Sequence, residues 1–499
     1  MIINEILSEF FKESSYRSYV LFETLILEVL SEYFKDKDKK LITNFGTQNP
    51  FIRDELDAIS LDDFDNYHGA TVFEIKSYRN KHLLINLKKT YAKLLLSIKQ
   101  MDLNIRNIIF IISLDLDKEE KSEIVNRLKE KSNLRIEIWD TKDLQTLFDK
   151  YPNVVSRSMK NISKIAVNNQ VNKSINNEYS DLLNEKKQHI SNLKQSFHKD
   201  KLVLFLGAGA SRAAKIPAWN NLISGLLVSL LSELLKKNNI ELSSEEKNYI
   251  VKELKESNQN SALLLAQYAK CGLQDLFTTT ITHILYKSCI SESSLLTALS
   301  KLCKPLRSRI GIQGVINYNF DDLVEYNFSQ HDINYHAVYQ EADVPAQDEL
   351  GIYHVHGFLP REREKYTDLN KSLLVFSEKG YHDLMLDPYN WANLVQLNYL
   401  RENTCLFIGL SLTDPNLRRL LDISARKAED NNPKHFAILK RKLFHEEIIS
   451  ASNIDSKKIK KFDLVNQQLL EEYYKELSLN IIWVDSFDEI PKMLDELSK

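Results

Sequence analysis

The segment Leu202–Leu222, LVLFLGAGASRAAKIPAWNNL, constrains the fold more than any other part of the chain. Leu202 to Leu206 is an unbroken apolar run, long enough for a strand and short for a buried helix. A strand with no polar alternation is covered on both faces, as in a parallel sheet. Gly207, Ala208 and Gly209 follow at once and turn the chain into a helix. Further apolar runs predict strands at 314–316, 352–355, 405–408, 435–439 and 481–484, with helices filling much of 219–302. Strands that alternate with helices predict a parallel, doubly wound α/β sheet with a helical insertion. Glycine usage agrees: of 12 glycines, Gly46 and Gly69 lie early and the other ten fall between Gly207 and Gly409.

The first part of the chain reads as a separate α/β unit. Apolar spacing from Phe10 to Phe34 is helical, and strands are expected at 71–75, 108–113 and 134–139. A helix expected over 141–150 stops before Pro152. The Asn-, Ser- and Lys-rich stretch that follows reads as a linker leading into a helix at about 179–197. The expected organisation is a first domain over 1–155, a linker over 156–184 and a second domain over 185–499.

Composition excludes several classes. Lys+Arg is 66 and Asp+Glu is 69, a formal charge of −3, which excludes a wholesale nucleic-acid coat protein. Hydrophobic residues at 43% and charged residues at 27% exclude global disorder. The four cysteines, Cys271, Cys289, Cys303 and Cys405, form no CxxC pair, so neither a zinc site nor a disulfide framework is expected, and a reducing cytoplasm fits. The N-terminus lacks a signal-peptide layout, and no apolar run approaches the ~18 residues of a membrane span.

Four segments carry candidate chemistry in the second domain. At the glycine turn, the helix N-terminus offers N–H groups and a positive dipole end to a pyrophosphate, with Ser211 as a further donor. In VINYNFDDLVE, a strand ends in Asn319, Phe320, Asp321 and Asp322, and polar residues at the carboxyl end of such a strand face the ligand crevice. Asp322 reads instead as the N-cap of the following helix. In GIYHVHGFLP, His354 and His356 share one strand face, and His356, beside Gly357, is the sharper candidate for a base. In CLFIGLSLTDPNLRRLLD, a strand ends at Gly409, with Ser411 two residues on, and Asp414 and Pro415 open the next helix as N-cap and N1.

Together these residues resemble the sirtuin family. Gly207–Ser211 matches its glycine motif, Asn319-Phe320-Asp321 its Asn-x-Asp, His356-Gly357 its His-Gly, and Gly409-Leu410-Ser411 its Gly-x-Ser, in family order across about 185–499. Two departures matter. The four-cysteine zinc module of the protein-deacylating members is missing, and Ala218-Trp219-Asn220 stands where they carry Asp-Phe-Arg. The chain looks more like the sirtuin-like domains of bacterial anti-phage defence systems. The resemblance implies a Rossmann-like domain that hydrolyses NAD+ to nicotinamide and ADP-ribose in an abortive-infection response, without zinc. It implies that Asn319 holds a ribose hydroxyl or the attacking water, Asp321 the nicotinamide amide, and that His356 is the general base. Gly207, Ala208, Gly209, Ser211, Gly409 and Ser411 would bind NAD+. A toxic effector of this kind is expected to be controlled through a homo-oligomer or a partner defence protein.

In the first domain, Asp57 lies in an apolar-flanked segment, and Glu74 and Lys76 sit two apart on a strand, on one face. Two carboxylates can hold Mg²⁺, and the lysine can help activate water. The pattern resembles PD-(D/E)xK nucleases, which implies a restriction-endonuclease-like fold, with Glu23 or Glu28 as a further carboxylate. Between Ser77 and Lys99 stand Arg79, Lys81, Lys88, Lys89, Lys93 and Lys99 with no acidic residue, a run that either contacts phosphates or is a solvated helix face. Residues 1–150 carry 23 Lys+Arg and 26 Asp+Glu, so the domain is not globally basic. The readings to weigh are an NAD+ hydrolase effector, a metal-dependent DNase with the sirtuin-like half as a nucleotide-binding regulator, a non-enzymatic module that senses nucleic acid or binds a partner, and last a protein deacylase.

Overall fold

The computed structural model describes residues 2–46, 55–100, 104–129, 134–175, 179–240, 242–256, 262–305, 311–428, 431–444 and 455–498. The chain divides into two compact units. The first holds residues 1–187, 422–433 and 442–479, and the second 188–421, 434–441 and 480–499.

The first unit is built on a five-stranded sheet: β1 (Ile42–Gly46), β2 (Glu55–Ser60), β3 (Ala70–Lys76), β4 (Ile105–Ile112) and β5 (Arg135–Trp139), in that spatial order. β1, β2 and β3 pair antiparallel, whereas β4 and β5 continue parallel from β3. The helix Ser15–Lys35 buries Phe22, Leu25 and Phe34 in one core with Phe73 and Ile109. The helix Ile85–Gln100 buries Leu87 and Tyr91 in another with Val72 and Phe110. Alternate residues along β3 and β4 thus serve opposite faces, which is why these strands read as continuous apolar runs.

Two sequence expectations fail in this unit. β1 and β2 are strands although none is expected at either place; in β2 the polar ends and central Asp57 mask the buried Leu56, Ala58 and Ile59. The expected linker is helical: one helix runs Pro152–Ile175 and another Tyr179–His198. Pro152 does not merely stop the preceding helix, since it occupies the first position of the next, where its missing N–H costs nothing. The Asn- and Ser-rich composition has modest helix propensity, but Pro152–Ile175 packs against Ser15–Lys35 and Ser456–Glu476, and packing overrides propensity. Residues up to 187 therefore belong with the first unit, and the chain returns to it twice later.

The second unit carries a seven-stranded sheet, β12-β11-β10-β6-β7-β9-β8. The strands are β6 (Leu202–Leu206), β7 (Ile312–Asn317), β8 (Tyr335–Val338), β9 (Leu350–His354), β10 (Thr404–Ile408), β11 (His435–Lys440) and β12 (Leu479–Val484). From β11 to β8 every neighbour pair is parallel. All five residues of β6 are buried, as its apolar run requires. The expected helical insertion is present: Trp219–Lys237, Ser244–Glu256, Ala262–Leu273, Phe277–Tyr286 and Ser294–Cys303 lie between β6 and β7. Strand order places β6 at the centre, with β7 on one side and β10 on the other. Such a reversal opens a crevice at the carboxyl ends of the strands. Among the described residues, no helix is long and apolar enough to cross a membrane.

Candidate functional site

The glycine turn after β6 is interlocked with the turn after β10. Gly207 N donates to Ile408 O (3.0 Å) and Gly209 N to Gly409 O (2.9 Å). A Cβ on Gly209 would stand 2.6 Å from the Gly409 Cα, and Gly409 itself has φ +71°. This corrects the sequence reading. The N–H groups of Gly207 and Gly209 do not point free into a phosphate site, because the neighbouring strand end has taken them. The glycines are required because two backbones meet. Ala208, Gly209 and Ser411 remain exposed on the rim, and the Ser411 hydroxyl shares a 2.7 Å hydrogen bond with Thr413.

Ser211 is likewise not a free donor. It is fully buried, and its Oγ donates to Asp321 Oδ1 (3.0 Å) and accepts from Asn319 Nδ2 (3.1 Å). Asn319 Nδ2 also donates to Gly207 O (3.1 Å). A carbonyl oxygen only accepts, so this contact fixes the amide orientation. With both amide hydrogens engaged, Asn319 can offer a ligand its Oδ1, an acceptor suited to a hydroxyl or a water. Asp321 Oδ1 also accepts from Leu323 N (3.3 Å). Burial pushes the Asp321 pKa up to about 6, against the opposing hydrogen bonds from Ser211 and Leu323.

Asp322 stands at the N-cap position before the helix Leu323–Gln330 but makes no side-chain cap. Its carboxylate takes Arg361 instead, through Nε (2.9 Å) and the backbone N–H (2.8 Å). It is Asp321 that accepts from a first-turn N–H.

The two histidines do not share a face, because β9 ends at His354. His354 is fully buried, with Nε2 2.6 Å from Glu325 Oε1 and Nδ1 3.2 Å from Asn319 O, and its ring packs on Phe358. It braces the Asn319 backbone. His356 is packed instead between Tyr318, with ring centroids 4.5 Å apart, and Tyr381, at 5.6 Å. Its Nε2 lies 3.7 Å from Asp414 Oδ2 and has no hydrogen-bond partner. Burial lowers the His356 pKa, and Asp414 acts in the opposite sense. Asn319, Asp321 and His356 are 6%, 2% and 6% exposed, so little of each side chain reaches the surface.

Asp414 makes more contacts than the helix cap expected from the sequence. It does open the helix Pro415–Lys427, accepting from Leu417 N at 2.7 Å. Its second oxygen accepts from Tyr381 OH (2.7 Å) and faces His356. Spacing signalled the cap, but no sequence signal reported the other oxygen or Tyr381.

In the first unit, Asp57 of β2 and Glu74 and Lys76 of β3 do converge. Lys76 Nζ is 2.7 Å from Glu74 Oε1 and 3.5 Å from Asp57 Oδ2, and Asp57 Oδ2 also accepts from Ile75 N (2.6 Å). Burial, then Asp57, pushes the Glu74 pKa up to about 7 against the pull of Lys76. Burial works against the Lys76 ammonium, but Asp57 and Glu74 outweigh it and hold its pKa above the usual value. Glu23 adds a further negative field here. Among the described residues, no group of three or more His, Cys, Asp or Glu side chains is placed to hold a metal ion. The basic run is partly consumed by structure. Arg79 donates to Glu13 O, Ser18 Oγ and Arg426 O, Lys81 pairs with Glu120, and Lys88, Lys89, Lys93 and Lys99 lie on the exposed side of their helix.

The second unit is thus a parallel α/β domain whose polar residues gather where β6, β7, β9 and β10 end. Residues 313–460 match the sequence model of the SIR2-like domain. That stretch includes Asn319, Asp321, His356, Gly409 and Ser411, and leaves the glycine turn outside it. The chain is similar to NAD(+) hydrolase ThsA of Enterococcus faecium, at 23% identity over 321 residues, which is 63% of this chain and 59% of that protein. The protein of the same name from Bacillus cereus (strain MSX-D12) is 20% identical over 312 residues, 62% of this chain and 56% of that one. The chain therefore spans less than two thirds of the length of these relatives.

Proposed function

We propose that this chain is an NAD+ glycohydrolase, a cytoplasmic effector of anti-phage defence that cleaves NAD+ to nicotinamide and ADP-ribose when triggered. The observation that carries the reading is the convergence, on strand ends far apart in sequence, of the Asn319–Ser211–Asp321 network with His356. Two relatives named NAD(+) hydrolase support it. Departure of neutral nicotinamide leaves an oxocarbenium-like ribose, and catalysis then requires a held ribose and a positioned water. Asn319 Oδ1 accepts from a ribose hydroxyl or that water. Asp321 receives the carboxamide, and His356, whose pKa burial lowers, takes the proton. Gly207, Ala208, Gly209, Ser211, Gly409 and Ser411 shape the cofactor end, with Ser211 acting through Asn319 and Asp321. Low exposure of the site supports an enzyme that opens on a trigger, through a homo-oligomer or a partner. The test follows nicotinamide and ADP-ribose by chromatography with purified protein, alone and with DNA. His356→Ala and Asn319→Ala should each cut turnover by about 10²–10⁴-fold in folded protein. Full activity in both variants ends the assignment.

A second reading rests on Asp57, Glu74 and Lys76: a restriction-endonuclease-like domain that cleaves or senses nucleic acid. Two hard carboxylates fit Mg²⁺, which often keeps several waters and few protein ligands. Asp57 and Glu74 would hold it, and when bound it would supply an activated water. Lys76 orients both carboxylates in the present arrangement. Mg²⁺-dependent cleavage of duplex or single-stranded DNA, lost in Asp57→Ala and Lys76→Ala, is the expected result, and no cleavage of either substrate by the intact protein removes the nuclease.

A further inference from the structure

His356 Nε2 is a buried ring nitrogen without a hydrogen bond, and such atoms are rare enough in folded proteins to require a reason. The groups packed around it come from three places. Tyr318 follows β7, Tyr381 belongs to the helix Glu378–Leu386, and Asp414 follows β10. Burial raises the pKa of both tyrosines, so they stay neutral. Asp414 is therefore the one charged group among these three. Its carboxylate is held at both oxygens, Oδ1 by Leu417 N and Oδ2 by Tyr381 OH, each at 2.7 Å. Pro415, the first residue of the helix, fixes the backbone beside it. The result is an anion fixed in position, 3.7 Å from a nitrogen that lacks an acceptor.

We propose that Asp414 is the positioning residue for His356: its fixed charge, 3.7 Å from Nε2, favours the proton on that nitrogen and leaves Nδ1 to act as the base, with Tyr381 holding Asp414 in turn. The inference rests on the NAD+ hydrolase reading. In the step it serves, the ribose C1′–N bond breaks and its electron pair goes to the nicotinamide ring nitrogen, which becomes neutral. Water oxygen bonds to C1′, and the water proton passes to His356 Nδ1. The imidazolium so formed lies against the Asp414 carboxylate, and the proton then leaves to solvent. A carboxylate in this relation to a catalytic imidazole sets its tautomer and stabilises its charged form. The cap alone demands only Oδ1. The use of Oδ2 by Tyr381, and its direction towards His356, are what a purely structural Asp414 would not need.

Asp414→Asn keeps a cap acceptor and removes the charge. In the full chain, kcat should fall about 10²-fold or more with KM within about twofold, and the acid limb of the pH–rate profile should move to lower pH. Tyr381→Phe should lower kcat by a smaller factor, about 3–10-fold, in the same sense. A readout independent of turnover is ¹⁵N NMR of histidine-labelled protein, with His356→Gln identifying the His356 signal. Wild type should show the Nε2–H tautomer, and Asp414→Asn a mixed tautomer with a lower imidazole pKa. An unchanged tautomer and titration in Asp414→Asn would overturn the proposal whatever the activity. If wild type consumes no NAD+ under any trigger, the hydrolase reading fails, and the NMR arm still decides whether Asp414 sets the tautomer. Should Asp414→Asn not fold, Tyr381→Phe, which leaves the cap intact, carries the same NMR test.

Discussion

The hydroxyl of Ser211 donates to Asp321 Oδ1 at 3.0 Å, joining two buried residues 110 positions apart in the chain. This one bond ties the turn after β6 to the loop after β7, and the same hydroxyl accepts from Asn319.

Ser211→Ala should therefore act on two candidate site residues at once. It strips Asp321 of a donor and Asn319 of an acceptor, and unsatisfied buried groups cost about 1–3 kcal/mol. A drop of that size in chemical denaturation is expected, together with at least a tenfold loss of NAD+ turnover, whereas Ser211→Thr should recover much of both. Unchanged stability in Ser211→Ala would mean that the network carries no energy.

Asp321 gives a pH prediction whose sign is fixed. Its pKa is raised from 3.8 to about 6 by burial, so between those values the folded state binds the extra proton. Stability from this group is full at low pH and is lost as pH rises through about 6. Asp321→Asn removes that loss. The variant should be more stable than wild type at pH 8, by on the order of 2–3 kcal/mol, and nearly equal to it at pH 4. Its activity should fall at both. Thermal denaturation across pH checks the first claim, and a constant offset between the two proteins would refute it.

Gly209→Ala should fail through backbone contact. The added Cβ meets the Gly409 Cα at 2.6 Å, and no flexible side chain is available to yield. The expected cost is about 1–3 kcal/mol, with loss of NAD+ binding as the two turns separate. A calorimetric titration showing wild-type NAD+ affinity in Gly209→Ala would show that the contact can relax.

In the first unit, Lys76→Met should leave Asp57 and Glu74 buried without a counter-charge, at a cost of about 3–5 kcal/mol at pH 8. The Glu74 pKa is pushed up to about 7 even with Lys76 pulling it down, so removing Lys76 raises it further, and the penalty should shrink as pH falls towards 7. Millimolar Mg²⁺ should raise the melting temperature of Lys76→Met more than that of wild type. Equal shifts, or none, would remove the two carboxylates as a cation site.

The second sheet was largely legible in the sequence, because parallel strands buried on both faces leave apolar runs that end in glycine or polar residues. LVLFL before Gly207 and TCLFI before Gly409 are examples. β8, Tyr335–Val338, was not legible, since at the sheet edge its Tyr335 and His336 are only half-buried. The Asn319, Asp321 and His356 candidates followed from position at strand ends. Their partners did not. Ser211 read as a phosphate donor and Asp322 as a cap, yet each spends its polar atoms on a residue far away in sequence. A hydrogen bond across 110 residues leaves no periodicity to detect. For Asp414, one carboxylate oxygen served a local rule that sequence can express, and the other served a tertiary contact that it cannot.

The Gly209–Gly409 contact also bears on the life of the chain before it is complete. The turn after β6 takes its shape from carbonyls at residues 408 and 409, which leave the ribosome some two hundred residues later. At about 5–20 residues per second, that is a delay of roughly 10–40 seconds. A nascent chain with β6 and β7 already made holds only one half of this clasp, so the turn after β6 lacks the carbonyls that hold it until β10 has been made.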